Sequence, residues 1–139
     1  MEYRKALLSR GRGVVAVQRA SETRWHPPDE GYVKVNVDGA VSEQGHIFGM
    51  GALVRDHQGE VIVAMVCQGQ GTVEAEVVEA CSLRTALLWA QSLGLRRIVV
   101  EFDCATIVSA INSKTLNTNS SLGIVLLDCR ALMASFVSC

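Results

Sequence analysis

From residue 31 onward the apolar positions follow two different rhythms. In VKVNVDGAV (33–41), Val33, Val35 and Val37 alternate with Lys34, Asn36 and Asp38. That two-residue period predicts a strand with one buried face over 32–38. A polar turn, SEQG, leads to the apolar run FGMGALV (48–54). The next run, VIVAMVC (61–67), is separated from it by RDHQGE, whose positions 56–59 are all turn formers. This predicts a hairpin connection and, with the first strand, a three-strand antiparallel meander. The glycine-containing residues 68–71 are expected to break the sheet.

The rhythm then changes. EAEVVEACSLRTALLWAQSLG (74–94) is rich in Ala, Leu and Glu and free of proline, which predicts a helix. Gly94 is placed for a left-handed C-terminal cap. RRIVVEFD (96–103) is a β-branched run, read as a fourth strand covered on both faces. A short helix over ATIVSAI, a loop over NSKTLNTNSS and a last helix over LGIVLLDCRALMASF follow. A strand reached through a helix lies parallel to a neighbour by a right-handed crossover. The expected fold class is therefore α/β, a mixed sheet of the meander plus a parallel fourth strand, with flanking helices. Residues 1–30 show no sustained period and end in WHPPDEG, whose proline pair forbids a continuing helix. They read as an arm or linker leading into a domain over 31–139.

Composition narrows the class. The 139 residues are one domain's worth, 49% hydrophobic with two prolines, which excludes a disordered chain. No run is long and apolar enough to span a membrane, and MEYRKALLSRGRG lacks a secretory apolar stretch. An intracellular protein is expected, in nucleus or cytoplasm, with an organelle left open. The five cysteines are scattered without CxxC or zinc-finger spacing, which predicts reduced, mostly buried thiols. The net charge of −1 hides an asymmetry. Residues 1–24 carry six basic groups against Glu2 and Glu22, leaving seven basic and twelve acidic residues beyond them. The basic segment reads as a solvated leader, with a nucleic-acid tether as the alternative. The acidic remainder is poorly suited to hold a polyanion without divalent metal.

Three carboxylates then stand out. Asp38 ends the first strand, Glu79 lies early in the long helix, and Asp103 ends the fourth strand. Singly, each has a plain explanation: an Asp-Gly turn, an acidic residue at the positive end of a helix, and a helix cap. If the first and fourth strands are parallel neighbours, however, Asp38 and Asp103 share one sheet end, where ligands bind in such sheets. The crossover helix brings Glu79 over the same end. Three converging carboxylates without a Lys or Arg beside them call for a divalent cation, and Mg²⁺ takes oxygen ligands of this kind.

Four stretches, GYVKVNVDGAV, the hairpin over 49–60, VVEACSLRTALLWAQSLGLRRIVVEFD and the helix after it, together resemble the ribonuclease H type-1 domains of plant proteins. Those domains are often related to the ribonuclease H segment of non-LTR retrotransposon polyproteins. The resemblance covers residues 25–136. It implies a nucleic-acid partner, an RNA–DNA hybrid, and an endonuclease that cuts the RNA strand. Two Mg²⁺ ions (Mn²⁺ as a substitute) about 3.5–4 Å apart would be held by Asp38, Glu79 and Asp103. It further implies substrate contacts from Gly39, Asn36 and Cys104, with Gly39 letting a nucleic-acid backbone approach.

This sequence departs from the family pattern in two ways. The pattern continues into a fifth strand and a helix bearing a fourth metal-binding Asp, whereas the sequence stops at ASFVSC. Asp128 is no substitute, because it belongs to the preceding helix. Weakened metal binding and a bare edge on the fourth strand are therefore expected, with sheet completion by another chain as one outcome. Cys104 also replaces the usual Ser, a poorer hydrogen-bond donor. The alternative function is a non-catalytic nucleic-acid-binding or protein-interaction module, or a retrotransposon-derived relic.

Overall fold

A computed structural model describes residues 2–7, 16–18, 25–42, 44, 46–71 and 74–137. Six strands, β1 (Glu2–Leu7), β2 (Ala16–Gln18), β3 (Val33–Val41), β4 (Ile47–Arg55), β5 (Val61–Gln70) and β6 (Ile98–Phe102), form one sheet in the order β1-β5-β4-β3-β6-β2. The helices are α1 (Ala75–Ser92), α2 (Ala105–Asn112) and α3 (Ser121–Ser135). The meander β3–β4–β5 is antiparallel and β6 lies parallel to β3, as the two rhythms predict. Val35 pairs with Val54 on one side and Val100 on the other. Odd positions of β3 thus join a continuous apolar face with their neighbours. Leu83, Ala86, Leu87 and Ala90 of α1 belong to the same buried cluster. Its largest fully buried side chains include Phe102, Leu83 and Leu87, each worth about 2 kcal/mol of transfer free energy.

Three expectations need correction. The segment read as an arm contributes two strands: β1 pairs antiparallel with β5, and β2 pairs parallel with β6. The edge of β6 expected to be bare is therefore covered by this chain's own Ala16–Gln18, and completion by another chain is not needed. The pairing is main-chain to main-chain, which asks only for an extended segment within reach and leaves little periodicity to read. Residues 8–15 and 19–24, with most of the basic groups of that segment, lie outside the described residues.

The second correction concerns β6, which is not covered on both faces. Ile98, Val100 and Phe102 are buried while Val99 and Glu101 are partly exposed, a half-buried alternation. The third concerns β5, which continues through Gln70 instead of breaking at residue 68. Gly69 pairs with Phe48 of β4, whose ring lies where a Cβ at residue 69 would stand.

Other local readings hold. Gly94 is left-handed at φ +73° and closes α1. Asp56 Oδ1 accepts from the N–H groups of Gln58 and Glu60 and so organises the β4–β5 turn. His26, His46 and His57 are exposed. Among the described residues Cys67, Cys81, Cys104 and Cys129 are free, with Cys67 and Cys129 buried; Cys139 lies outside them. Burial pushes the Cys129 thiol up to about 12, so it stays protonated and unreactive near neutral pH. Asp128 sits on α3 and pairs with Arg84 at 3.0 Å, on the surface and away from Glu79.

Candidate active site

The parallel register of β3 and β6 pairs Val37 with Phe102. The next residues, Asp38 and Asp103, therefore emerge side by side at the same end of the sheet. Their phase is opposite to the core positions, so both line an open groove on the face away from α1. The groove holds about 500 Å³ and is shared with Asn36, Glu101, Leu53 and Val66. Val66 is 62% exposed, so the apolar side of this groove is open to solvent.

Glu79 comes from the other side. It lies in the second turn of α1, on the core-facing layer, and reaches the sheet end past Gly39. A Cβ at Gly39 would stand 3.2 Å from Glu79 Oε2 and 2.6 Å from Ser82 Oγ. The missing side chain therefore faces the helix. Glycine at this position permits the close approach of α1 to β3. Glu79 is half-buried, and its carboxyl is held above the usual range by burial first, then by the charges of Asp38 and Asp103. Asp38 and Asp103 therefore lie near enough for their charges to act on the Glu79 carboxyl.

The three carboxylates do not close into a cage. Among the described residues no three His, Cys, Asp or Glu side chains are gathered tightly enough to enclose an ion. Mutual repulsion favours such spreading. Among the described residues, none of the three is in an ion pair. The donor set is all-oxygen and anionic, and it fits a hard divalent cation better than any other class of ion.

Asp103 does not cap α2. The N-cap is Cys104, and no side chain caps that helix end, so the plain explanation of Asp103 falls away. Cys104 itself is partly buried beside the core. Asn36 donates its Nδ2–H to Glu101 Oε1 at 3.0 Å, while its Oδ1 is buried without a partner.

Lys34 and Glu101 were not singled out from the sequence. Lys34 Nζ sits 2.9 Å from Glu101 Oε2 in a nearly buried ion pair, and also donates to the His26 carbonyl. Trp25 lies against both Lys34 and Arg55, with their cationic groups 5.3 and 4.8 Å from the ring centre. The signal for Glu101 was in the alternation: Asn36 precedes Asp38 by two and Glu101 precedes Asp103 by two, so all four share a face. Asn36 and Glu101 are direct partners in the register. One carboxylate of the acidic face is thus neutralised internally, and two remain at the sheet end.

This topology, a β3–β4–β5 meander with β6 parallel to β3 and the helices of α1 and α3 behind it, is the ribonuclease H-like fold. Solved structures with the same fold include ribonuclease H1 from the halophilic archaeon Halobacterium salinarum, at 18% identity and a TM-score of 0.63. That match covers 76% of this chain and 80% of the archaeal one. The N-terminal ribonuclease H domain of a Mycobacterium tuberculosis protein, solved as a fusion with maltose binding protein, matches at 22% identity and a TM-score of 0.65. Here the coverage is 76% of each chain. The chain belongs to the reverse transcriptase-like family, whose pattern it matches over residues 36–139. No curated protein matches it significantly.

Proposed function

We propose that this chain is a ribonuclease H-type domain that binds an RNA–DNA hybrid and hydrolyses its RNA strand. One observation carries the reading: Asp38 and Asp103 leave two parallel strands side by side, and Glu79 of the crossover helix lies against Gly39, the neighbour of Asp38. In this reading the three carboxylates hold Mg²⁺ or Mn²⁺. A divalent ion bound there supplies an activated water and stabilises charge building on the leaving oxygen. Asp38 and Asp103 present their oxygens from adjacent strand ends. Burial and the charges of Asp38 and Asp103 hold the Glu79 carboxyl above the usual range, and a cation held there would offset those charges. The resemblance adds that Glu79 approaches a ribose 2′-hydroxyl, the group that separates RNA from DNA. Four motifs in the family's order support a relationship to plant, retrotransposon-derived domains.

The test is hybrid cleavage with Mg²⁺ or Mn²⁺ by the native chain and by Asp38→Asn. RNA-strand cleavage lost in Asp38→Asn supports the reading, and equal cleavage by both sinks it. A second reading, a non-catalytic nucleic-acid-binding module, is favoured by the open spacing of the carboxylates. Salt-sensitive hybrid binding without cleavage would select it.

A further inference from the structure

Ser82 is an unusual residue to find 1% exposed between a helix and a sheet. Its hydroxyl donates to the Val78 carbonyl at 2.8 Å, within its own helix, so it asks nothing of the strand beneath it. Polar satisfaction is therefore complete inside α1, and the side chain serves as a small spacer. What it spaces is Gly39. A Cβ there would stand 2.6 Å from Ser82 Oγ, 3.4 Å from Ser82 Cβ and 3.2 Å from Glu79 Oε2. The first distance is closer than real Cβ contacts come. The helix cannot turn aside to relieve it, because Val78, Ala80 and Leu83 on either side of the contact are fully packed.

We propose that Gly39 and Ser82 form a positioning contact that sets the approach of α1 to β3 and thereby holds Glu79 at the Asp38–Asp103 end. The proposal rests on the metal-dependent reading above. A methyl group at residue 39 must either turn the Ser82 hydroxyl away from the Val78 carbonyl, leaving it buried without its bond, or push α1 away from β3. Glu79 is one turn from Ser82 on the same rigid helix and moves with it. Groups that orient a metal ligand typically change affinity by about 10–100-fold when altered, and this contact belongs with them.

The experiment is a Mn²⁺ titration followed by electron paramagnetic resonance, on the native chain, Gly39→Ala, Gly39→Ala/Ser82→Ala, and each change at Gly39 combined with Glu79→Gln. Gly39→Ala should lower affinity by about 10-fold or more. Adding Ser82→Ala removes the 2.6 Å approach and leaves those at 3.2 Å, to the movable Glu79 carboxylate, and 3.4 Å, so affinity should recover to within about threefold of native. In a Glu79→Gln background Gly39→Ala should have no further effect, an outcome that a purely structural role would not give. Native affinity in Gly39→Ala, or no recovery in the double variant, overturns the positioning role alone. A native chain that binds no Mn²⁺, or binds it equally as Asp38→Asn, overturns the metal reading and the positioning role with it. If Gly39→Ala does not fold, Ser82→Thr crowds the same contact from the helix side. Lowered affinity in that variant supports the proposal, and unchanged affinity overturns it.

Discussion

Replacing Lys34 by Met tests how the acidic face is held together. The Met side chain keeps the apolar stem and removes only the ammonium. In the native chain that ammonium lies 2.9 Å from Glu101, with the two side chains 6% and 14% exposed. Its loss strands a carboxylate that retains one bond, from Asn36 at 3.0 Å. Removing one partner of a buried pair costs about 3–5 kcal/mol, because the remaining charge is left in a poor solvent. Residual exposure and the Asn36 bond place Glu101 at the low end, about 3 kcal/mol. The cation over Trp25 adds about 0.5–1 kcal/mol to the loss. With a urea dependence of about 1.5 kcal/mol per molar, the unfolding midpoint should fall by about 2 M. Adding Glu101→Gln to Lys34→Met removes the stranded charge and should recover more than half of the loss. Equilibrium urea unfolding followed by far-UV circular dichroism measures both. A loss under about 1 kcal/mol for Lys34→Met, or a double variant no better than the single, would refute the argument that the pair is buried and mutually dependent.

Two further outcomes are expected. Glu79 keeps its proton above the usual carboxylate range in the folded state, so the native state binds more protons than the unfolded one once the pH rises above that range. Unfolding free energy therefore falls as pH rises there. Metal-free Glu79→Gln should be more stable than the native chain at pH 7.5 and equal to it near pH 3, while its Mn²⁺ affinity drops; a stability gap that persists at pH 3 would count against the charge argument. Ser120 caps α3 by accepting from the Gly123 N–H at 3.1 Å. Ser120→Ala should cost about 1 kcal/mol in the same urea assay, and a change below about 0.3 kcal/mol would show that the cap is not formed in solution.

The sequence pattern carried much of this molecule. The alternation of Val33, Val35 and Val37 set both the strand and its buried face, because a pleated strand has only two faces to choose between. The composition of 74–94 and Gly94 set α1 and its end for equally local reasons. The two-residue period puts Asn36 on the face of Asp38 and Glu101 on that of Asp103, the register of β3 and β6 joins the two faces, and of the four only Glu101 was not read as chemistry.

Distance-dependent features were not legible in the same way. That β2 covers the free edge of β6 follows from main-chain hydrogen bonding between segments about eighty residues apart, which leaves no periodic trace in AVQ. The Lys34–Glu101 pair joins residues 67 apart, and neither partner's identity implies the other. Gly39 shows the division most clearly. Its neighbour Asp38 announced a turn or a metal ligand, and both readings treated the glycine as a matter of backbone freedom or substrate access. Only the packed helix showed that its absent side chain faces Ser82 and Glu79. A residue's face is set by its position in the period, but what stands opposite that face is set by how two elements far apart in the chain come to pack.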